Sequence, residues 1–126
     1  MSSTQKSDLA ASGARKKFKI GLIQLAVEND KHRNIKNAEQ KIKEAAARGA
    51  DLVMLPECWN CPYGNKYFPQ YAESAGDSLS WESMARAAKD SGIYLVAGSI
   101  PERDGDKLYN TSISFDRSGN ILAKHR

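Results

Sequence analysis

The sequence predicts an α/β fold in which parallel strands are joined by helices. Two apolar runs, at residues 18–26 and 52–55, are rich in residues that favour strands. Between them, apolar side chains recur at helical spacing, with lysine and glutamate at most other positions. A strand, an amphipathic helix and a second strand within about forty residues make a βαβ unit. Such a unit pairs its two strands in parallel, with a right-handed crossover.

The helix of this unit has recognisable ends. Asn29 or Asp30 can cap its amino terminus, and Arg48 followed by Gly49 is typical of a carboxyl terminus. The apolar face is formed by five residues, Ile35, Ala38, Ile42, Ala45 and Ala46. This pattern predicts a surface helix that packs one face onto the sheet.

The second strand ends at a carboxylate. Four apolar residues bounded by turn formers, at 52–55, predict a strand buried on both faces. Pro56 cannot extend a central ladder, so Glu57 lies at the carboxyl edge of that strand, where open α/β sheets keep their ligand crevices. We expect partial desolvation of Glu57, which would suit general-base chemistry. From its position alone, a solvated loop glutamate is an equal alternative.

The remainder of the chain alternates helix and strand signals. A long aromatic loop at 59–78 predicts a functional lid or short helical turns. Residues 79–91 predict a helix, and 93–98 a third buried strand. Segments 110–115 and 121–124 predict an antiparallel hairpin. With these elements alone, one sheet face would lack the covering layer that such a sheet needs.

The chain has 126 residues, enough for one domain, and its net charge of +4 lies in a tail. The basic and acidic residues of positions 1–19 are Lys6, Arg15, Lys16, Lys17 and Lys19 against Asp8. The body is therefore neutral and offers no net basic surface for nucleic acid. We predict a disordered basic tail at 1–17, with a mitochondrial transit peptide as the alternative.

No run approaches the ~18 apolar residues of a membrane span. Two cysteines and no secretory signal favour the cytoplasm.

Six short segments, in order along the chain, resemble the nitrilase (carbon–nitrogen hydrolase) superfamily and its omega-amidase branch. They are KIGLIQ at 19–24, ADLVMLPEC at 50–58, CPYG at 61–64, GSIPE at 98–102, LYNTS at 108–112 and LAKHR at 122–126. The resemblance covers residues 18–126 and implies an α-β-β-α sandwich of the nitrilase type. This chain would carry its incomplete first half: βαβ, helix, strand and hairpin.

The resemblance also implies an activity. The family hydrolyses non-peptide carbon–nitrogen bonds with a Glu-Lys-Cys triad, without metal or cofactor, and its full-length members are expected to be homo-oligomers. The omega-amidase branch acts on small omega-amides of dicarboxylates, such as 2-oxoglutaramate and succinamate, and releases ammonia. A small-molecule amide is therefore the implied partner, with neither nucleic acid nor membrane.

Only one triad member can be carried over. Glu57 matches the catalytic glutamate, the general base. The family lysine and cysteine follow the segment matched by residues 122–126, and Lys124 falls on a position that precedes the lysine. The resemblance thus predicts the amino-terminal part of a domain about twice this length, and a 126-residue chain inactive alone. The alternative is a non-catalytic truncated product or binding remnant.

The two cysteines form a C-x-x-C pattern, which could indicate a redox dithiol or half a zinc site. Cys58 adjoins Glu57, and successive side chains of extended backbone point to opposite faces. Cys61 lies in a loop, with no lysine or histidine evidently placed to lower its pKa. Structural zinc needs four ligands, and His32 and His125 are far away in sequence. The redox interpretation is accordingly the less favoured one.

Four further side chains are candidates for the surroundings of the site. Tyr63 is expected to line a substrate pocket, whereas Phe68 and Tyr71 are expected to pack the aromatic loop onto the body. Glu102 and Asn110 are expected to form hydrogen bonds around the site, with plain turn chemistry as the alternative.

Overall fold

The computed structural model describes residues 16–126. Residues 1–15 lie outside the described residues, so the disordered tail at 1–17 stays a prediction. The elements, in chain order, are β1 Ile20–Leu22, α1 Lys31–Ala47, β2 Leu52–Met54, α2 Phe68–Tyr71, α3 Leu79–Ser91, β3 Tyr94–Val96, β4 Ile100–Asp104, β5 Lys107–Phe115 and β6 Ile121–His125.

Both long helices lie where the sequence predicts them. Asp30 caps α1, because its carboxylate accepts a hydrogen bond from the N–H of Arg33. The Ser78 hydroxyl does the same for α3 by accepting from the N–H of Trp81. Gly92 ends α3 in the left-handed conformation that favours glycine. The predicted loop at 59–78 contains one short helical turn, α2.

The strands form one six-stranded sheet. β1, β2 and β3 are parallel neighbours, which confirms the predicted βαβ unit. The long strand β5 runs antiparallel to β3, β4 and β6. The β5–β6 pair confirms the predicted hairpin.

The sequence prediction missed β4. It pairs with β5 through the full length Ile100–Asp104. Pro101 and three charged side chains made this strand hard to predict, because proline and charged residues usually argue against a strand. The Gly105-Asp106 pair, which forms the two-residue hairpin turn, could have revealed it.

The two faces of the sheet differ. On the helix side, Val53, Leu95 and Phe115 are buried beneath α1 and α3. On the opposite side, which we call the open face, register aligns Leu22, Met54 and Val96. Leu22 is 76% exposed and Met54 38%.

The prediction that the strand at 52–55 is buried on both faces is therefore wrong. The strand at 93–98, predicted as buried, is buried on one face only, since Leu95 is buried and Tyr94 is exposed. The physical reason is that no helix or strand of residues 16–126 packs over the open face, as the expected absence of a covering layer implies.

Candidate active site

Glu57 lies in a turn directly after β2, at the carboxyl end of the parallel strands. Three hydrogen bonds fasten this turn to the segment that follows β3. The Ser99 N–H donates to the Pro56 carbonyl at 3.3 Å, and the Cys58 N–H donates to the Ser99 hydroxyl at 3.1 Å. The Trp59 indole N–H donates to the Ala97 carbonyl at 2.9 Å. The neighbouring strand thus determines where Glu57 stands.

Gly98 makes this close approach possible. Its φ of +54° lies in the left-handed region, and a Cβ atom here would stand 2.1 Å from the Pro56 carbonyl oxygen. No side chain fits at that distance, so only glycine allows the two segments to touch beside Glu57.

Asn110 orients the Glu57 carboxylate. It lies in β5 opposite Pro101, and its Nδ2 donates to Glu57 Oε1 at 2.8 Å. The Cys58 thiol lies 3.9 Å from the Asn110 Oδ1 and can donate to it. The structure therefore brings the predicted residues Glu57 and Asn110 together. The Glu57 side chain is exposed, so the expected partial desolvation is not found; the open face leaves it uncovered.

Cys58 does not follow the expected extended geometry. Its φ of +48° is positive, which is rare for a residue other than glycine. The chain bends sharply there, and Cys58 and Glu57 line the same cavity instead of opposite faces. Burial raises the pKa of the Cys58 thiol and the charge of Glu57 raises it further, against a lowering hydrogen bond to Ser99. A thiol held protonated in this way is a poor nucleophile.

Cys61 lies in the loop, as the sequence predicts, but its side chain is not accessible there. It is buried and does not line the cavity with Glu57. Burial raises the pKa of the Cys61 thiol to about 12, and neighbouring Cys58 adds to the rise. Both cysteines are free thiols. Within residues 16–126, no group of three or more His, Cys, Asp or Glu side chains is arranged to hold a metal ion.

A cavity of about 350 Å³ opens beside Glu57. Its wall is formed by Glu57, Cys58, Tyr63, Asn65, Phe68, Pro101, Leu108, Tyr109 and Asn110. The Tyr63 and Phe68 rings meet edge to face with centroids 5.6 Å apart. A larger cleft of about 650 Å³, along β1 and the end of α1, contains none of the predicted site residues.

The aromatic predictions had mixed outcomes. Tyr63 lines the cavity, and its role in a substrate pocket stays a prediction. Phe68, which was expected to pack the loop onto the body, lines the cavity too. Phe68 begins α2, and this turn directs its ring beside Tyr63. Tyr71 packs the loop onto the body, as its hydroxyl donates to the Asn29 carbonyl. Pro101, Leu108 and Tyr109 also line the cavity; they belong to the motifs at 98–102 and 108–112, but the sequence interpretation did not name them individually.

Glu102 is not among the residues around the cavity, contrary to expectation. Side chains alternate along β4, so Pro101 reaches the cavity while Glu102 points to the helix side. There it is 1% exposed and accepts hydrogen bonds from Lys124 at 2.7 Å, Arg126 at 2.9 Å and Thr111 at 2.8 Å.

This pairing makes stability depend on acid pH. Hydrogen bonds from Arg126 chiefly, then from Lys124 and Thr111, outweigh burial and lower the pKa of Glu102 from 4.5 to about 2. Because the folded-state pKa is depressed, the contribution is fully present above the unfolded value and is lost as pH falls towards about 2. We expect up to about 3 kcal/mol of unfolding free energy to depend on this group. Urea unfolding at several pH values should show a steeper acid loss for the wild type than for Glu102→Gln. Parallel curves would contradict this.

Comparisons with known proteins agree with the fold and the motifs. The family model for carbon–nitrogen hydrolases matches residues 19–126. The chain is 51% identical over 111 residues to Omega-amidase NIT2 of Xenopus tropicalis, covering 87% of this chain and 40% of that protein. It is 52% identical over 114 residues to the chloroplastic omega-amidase of Arabidopsis thaliana, covering 87% of this chain and 31% of that one.

A solved structure shows the same architecture. Saccharomyces cerevisiae Nit3, a member of branch 10 of the nitrilase superfamily, superposes with a TM-score of 0.82 at 38% identity. The match covers 86% of this chain and 43% of Nit3. The chain thus spans two fifths or less of the length of these curated relatives. No described helix is both long and apolar enough to cross a bilayer. Motifs, sheet order and family match agree, and the chain belongs to the carbon–nitrogen hydrolase family of the nitrilase superfamily.

Proposed function

We propose that this chain supplies the general base and part of the substrate cavity of an omega-amidase-like carbon–nitrogen hydrolase. One observation carries the proposal: Glu57 stands at the carboxyl end of β2, held by Asn110 at 2.8 Å, and borders a cavity of about 350 Å³. That volume is near the lower end of the range for small-molecule sites. The omega-amidase names of the relatives support the same class of reaction.

In the proposed reaction, Glu57 moves protons twice. An amide is a poor electrophile, so a thiolate attacks its carbonyl carbon after Glu57 takes the thiol proton. The proton passes to the leaving nitrogen, the carbon–nitrogen bond breaks, and ammonia departs from a thioester. Glu57 then takes a proton from water, whose oxygen attacks the thioester carbon; the carbon–sulfur bond breaks, and the proton passes from Glu57 to the departing sulfur. A lysine ammonium that stabilises the oxyanion is worth on the order of 3 kcal/mol in barrier.

We propose that the triad lysine directly follows Arg126, as the family resemblance implies, and the register of the last hairpin gives the place of that residue. Ser112 pairs with His125, and from Ser114 to Ser112 the partner positions change one by one in opposite directions. Continued by two positions, this register sets the residue after Arg126 opposite Asn110. Directly paired residues share a sheet face, with Cβ atoms about 4.5–5.5 Å apart. A side chain at that position would lie on the same sheet face as Asn110, whose amide contacts Glu57. We propose that the nucleophilic cysteine also follows Arg126, since burial raises the pKa of both Cys58 and Cys61.

The proposed substrates are small omega-amides of dicarboxylates, of the 2-oxoglutaramate and succinamate type. Their small size suits the cavity, which the Tyr63–Phe68 pair borders. We propose a reducing cytoplasmic setting, in which the two free thiols are stable, and a homo-oligomeric full-length protein. The raised thiol pKa values argue against the C-x-x-C redox alternative.

Ammonia release from succinamate and 2-oxoglutaramate tests the proposal. We expect none from the 126-residue chain. A form that continues past Arg126 should turn over both amides, and Glu57→Gln should lower its kcat about a thousandfold. Asp104→Asn, which removes a carboxylate outside the cavity wall, is the matched control and should retain activity. Turnover by the 126-residue chain that Glu57→Gln abolishes would contradict the expected inactivity. No turnover by any form would favour the non-catalytic alternative.

A further inference from the structure

An ion cluster around the buried Glu102 carboxylate joins β6 to β4 on the helix side of the sheet. Both oxygens of Glu102 are occupied: Oε1 accepts from Thr111 and from the Arg126 Nε, and Oε2 accepts from Lys124 and from the Arg126 Nη2. Arg126 also lies over the Tyr109 ring, 4.2 Å from its centroid. Charge-assisted hydrogen bonds of this kind, buried at the carboxylate end, are strong and directional.

The turn at 116–120 sets the register where β6 begins, since the Asp116 carboxylate accepts from two backbone N–H groups there. Towards Arg126, burial adds little to this hold. Every residue of Ile121–His125 is exposed, and the strand lies at an edge of the sheet. A strand with weak burial is prone to slip, and a slip of one residue moves each side chain to the other face. The cluster opposes such a slip, because Lys124 and Arg126 must both reach the single carboxylate of Glu102.

The register of β6 determines which of its side chains point to the open face. Lys124 pairs with Ile113 on the helix side, whereas His125 pairs with Ser112 on the side of Asn110. The residue after Arg126 follows this alternation and is directed to the open face. A slipped strand would instead direct it away from Glu57.

We propose that Glu102 is a positioning residue: it holds β6 in register from the helix side and thereby presents the residue after Arg126 to Glu57 and Asn110. The catalytic consequence rests on the proposed function, whereas the hold on β6 does not. Glu102 therefore touches neither substrate nor reacting atoms and acts through the strand.

Amide hydrogen exchange on the 126-residue chain tests the hold on β6. In Glu102→Gln we expect exchange at least about tenfold faster in β6 and in residues 112–115 of β5, with β1 to β3 within about threefold of wild type. Asp104→Asn removes the exposed partner of Arg126 and should change β6 by less than about threefold. Glu102→Asp keeps the charge, and we expect a smaller increase in exchange at the same residues. If Glu102→Gln does not fold, the exchange of Glu102→Asp tests the proposal instead. Unchanged exchange in β6, or an equal rise in all strands, would overturn the proposal.

A spectroscopic signal gives an independent check. The Lys124 ammonium lies 5.6 Å from the centroid of the Trp81 ring. Glu102→Gln should shift the Trp81 indole resonance and leave that of Trp59, which donates to Ala97, in place. Shifts of equal size at both would indicate a global change and count against the proposal.

The catalytic readout separates this inference from the proposed function. In a form that hydrolyses succinamate, Glu102→Gln should lower kcat at least about tenfold with KM within about threefold, and Glu102→Asp should recover part of the loss. An unchanged kcat, or an equal loss in Asp104→Asn, would overturn the positioning role. If no form hydrolyses succinamate, the proposed function fails, and the exchange pattern still decides whether Glu102 holds β6.

Discussion

Replacement of Gly98 by alanine is expected to destabilise the fold by about 3 kcal/mol or more. Two costs add at this position. The backbone φ of +54° is unfavourable for any residue with a Cβ, and that Cβ would stand 2.1 Å from the Pro56 carbonyl and 2.8 Å from the Leu55 carbonyl. Both obstacles are backbone atoms, so the segment that carries Glu57 must move. Urea unfolding measures the loss.

Gly92→Ala is the matched control for this prediction. Gly92 has a similar φ of +63°, but a Cβ there meets no atom within 4 Å. It should therefore cost only about 1 kcal/mol, the conformational part alone. Equal losses of unfolding free energy in the two variants would show that the close approach at Gly98 does not contribute to the cost of the substitution. We also expect Gly98→Ala, and not Gly92→Ala, to displace the Asn110 side-chain amide resonance.

Replacement of Glu73 by glutamine is expected to cost about 3 kcal/mol. The buried Glu73 carboxylate accepts from the Ser78 hydroxyl, from the N–H and hydroxyl of Ser80, and from the Asn60 amide, and Lys31 lies 3.5 Å away. Every partner is a donor or a cation. A glutamine would place an NH2 group against donors and leave Lys31 without its counter-charge. Thermal and urea unfolding measure the effect.

Glu28→Gln is the control for Glu73→Gln. Glu28 pairs with Arg33 at 3.3 Å on the surface, where both side chains are well exposed. Surface pairs contribute less than about 1 kcal/mol, so this variant should be nearly neutral. A neutral Glu73→Gln would mean that the loop at 59–78 does not depend on its buried carboxylate. Because the Glu73 backbone also pairs with Pro101 and Arg103 of β4, the cavity wall at Pro101 should loosen with it.

Predictions that rest on local patterns succeeded. The apolar spacing and caps of α1, and the range 79–91 of α3, depend on interactions within a few residues, which a sequence displays directly. The position of Glu57 was also accessible, because Pro56 ends a strand wherever that strand lies in the sheet.

Predictions that required a choice of face were less successful. Sequence motifs indicated both Asn110 and Glu102 as site residues. The two side chains nevertheless lie on opposite faces of the β4–β5 pair, so Asn110 contacts Glu57 at the cavity and Glu102 contacts Lys124 of β6. The left-handed turn at Cys58 reversed an expectation based on extended backbone. Glu73 carried no sequence signal, because its partners lie up to 42 residues away in the chain, as Lys31 does.

Sequence alone was enough for the βαβ unit, the helix at 79–91, the last hairpin, the family resemblance and the carboxylate after β2. Those properties follow from periodicity, turn chemistry and motifs, which act over short distances along the chain. Three contacts became visible only in three dimensions: Asn110 donates to Glu57, Cys58 shares the cavity of Glu57, and Glu102 accepts from Lys124 of β6. Each of these depends on strand register and on which side of the pleat a residue occupies, and both are set by long-range pairing in the sheet.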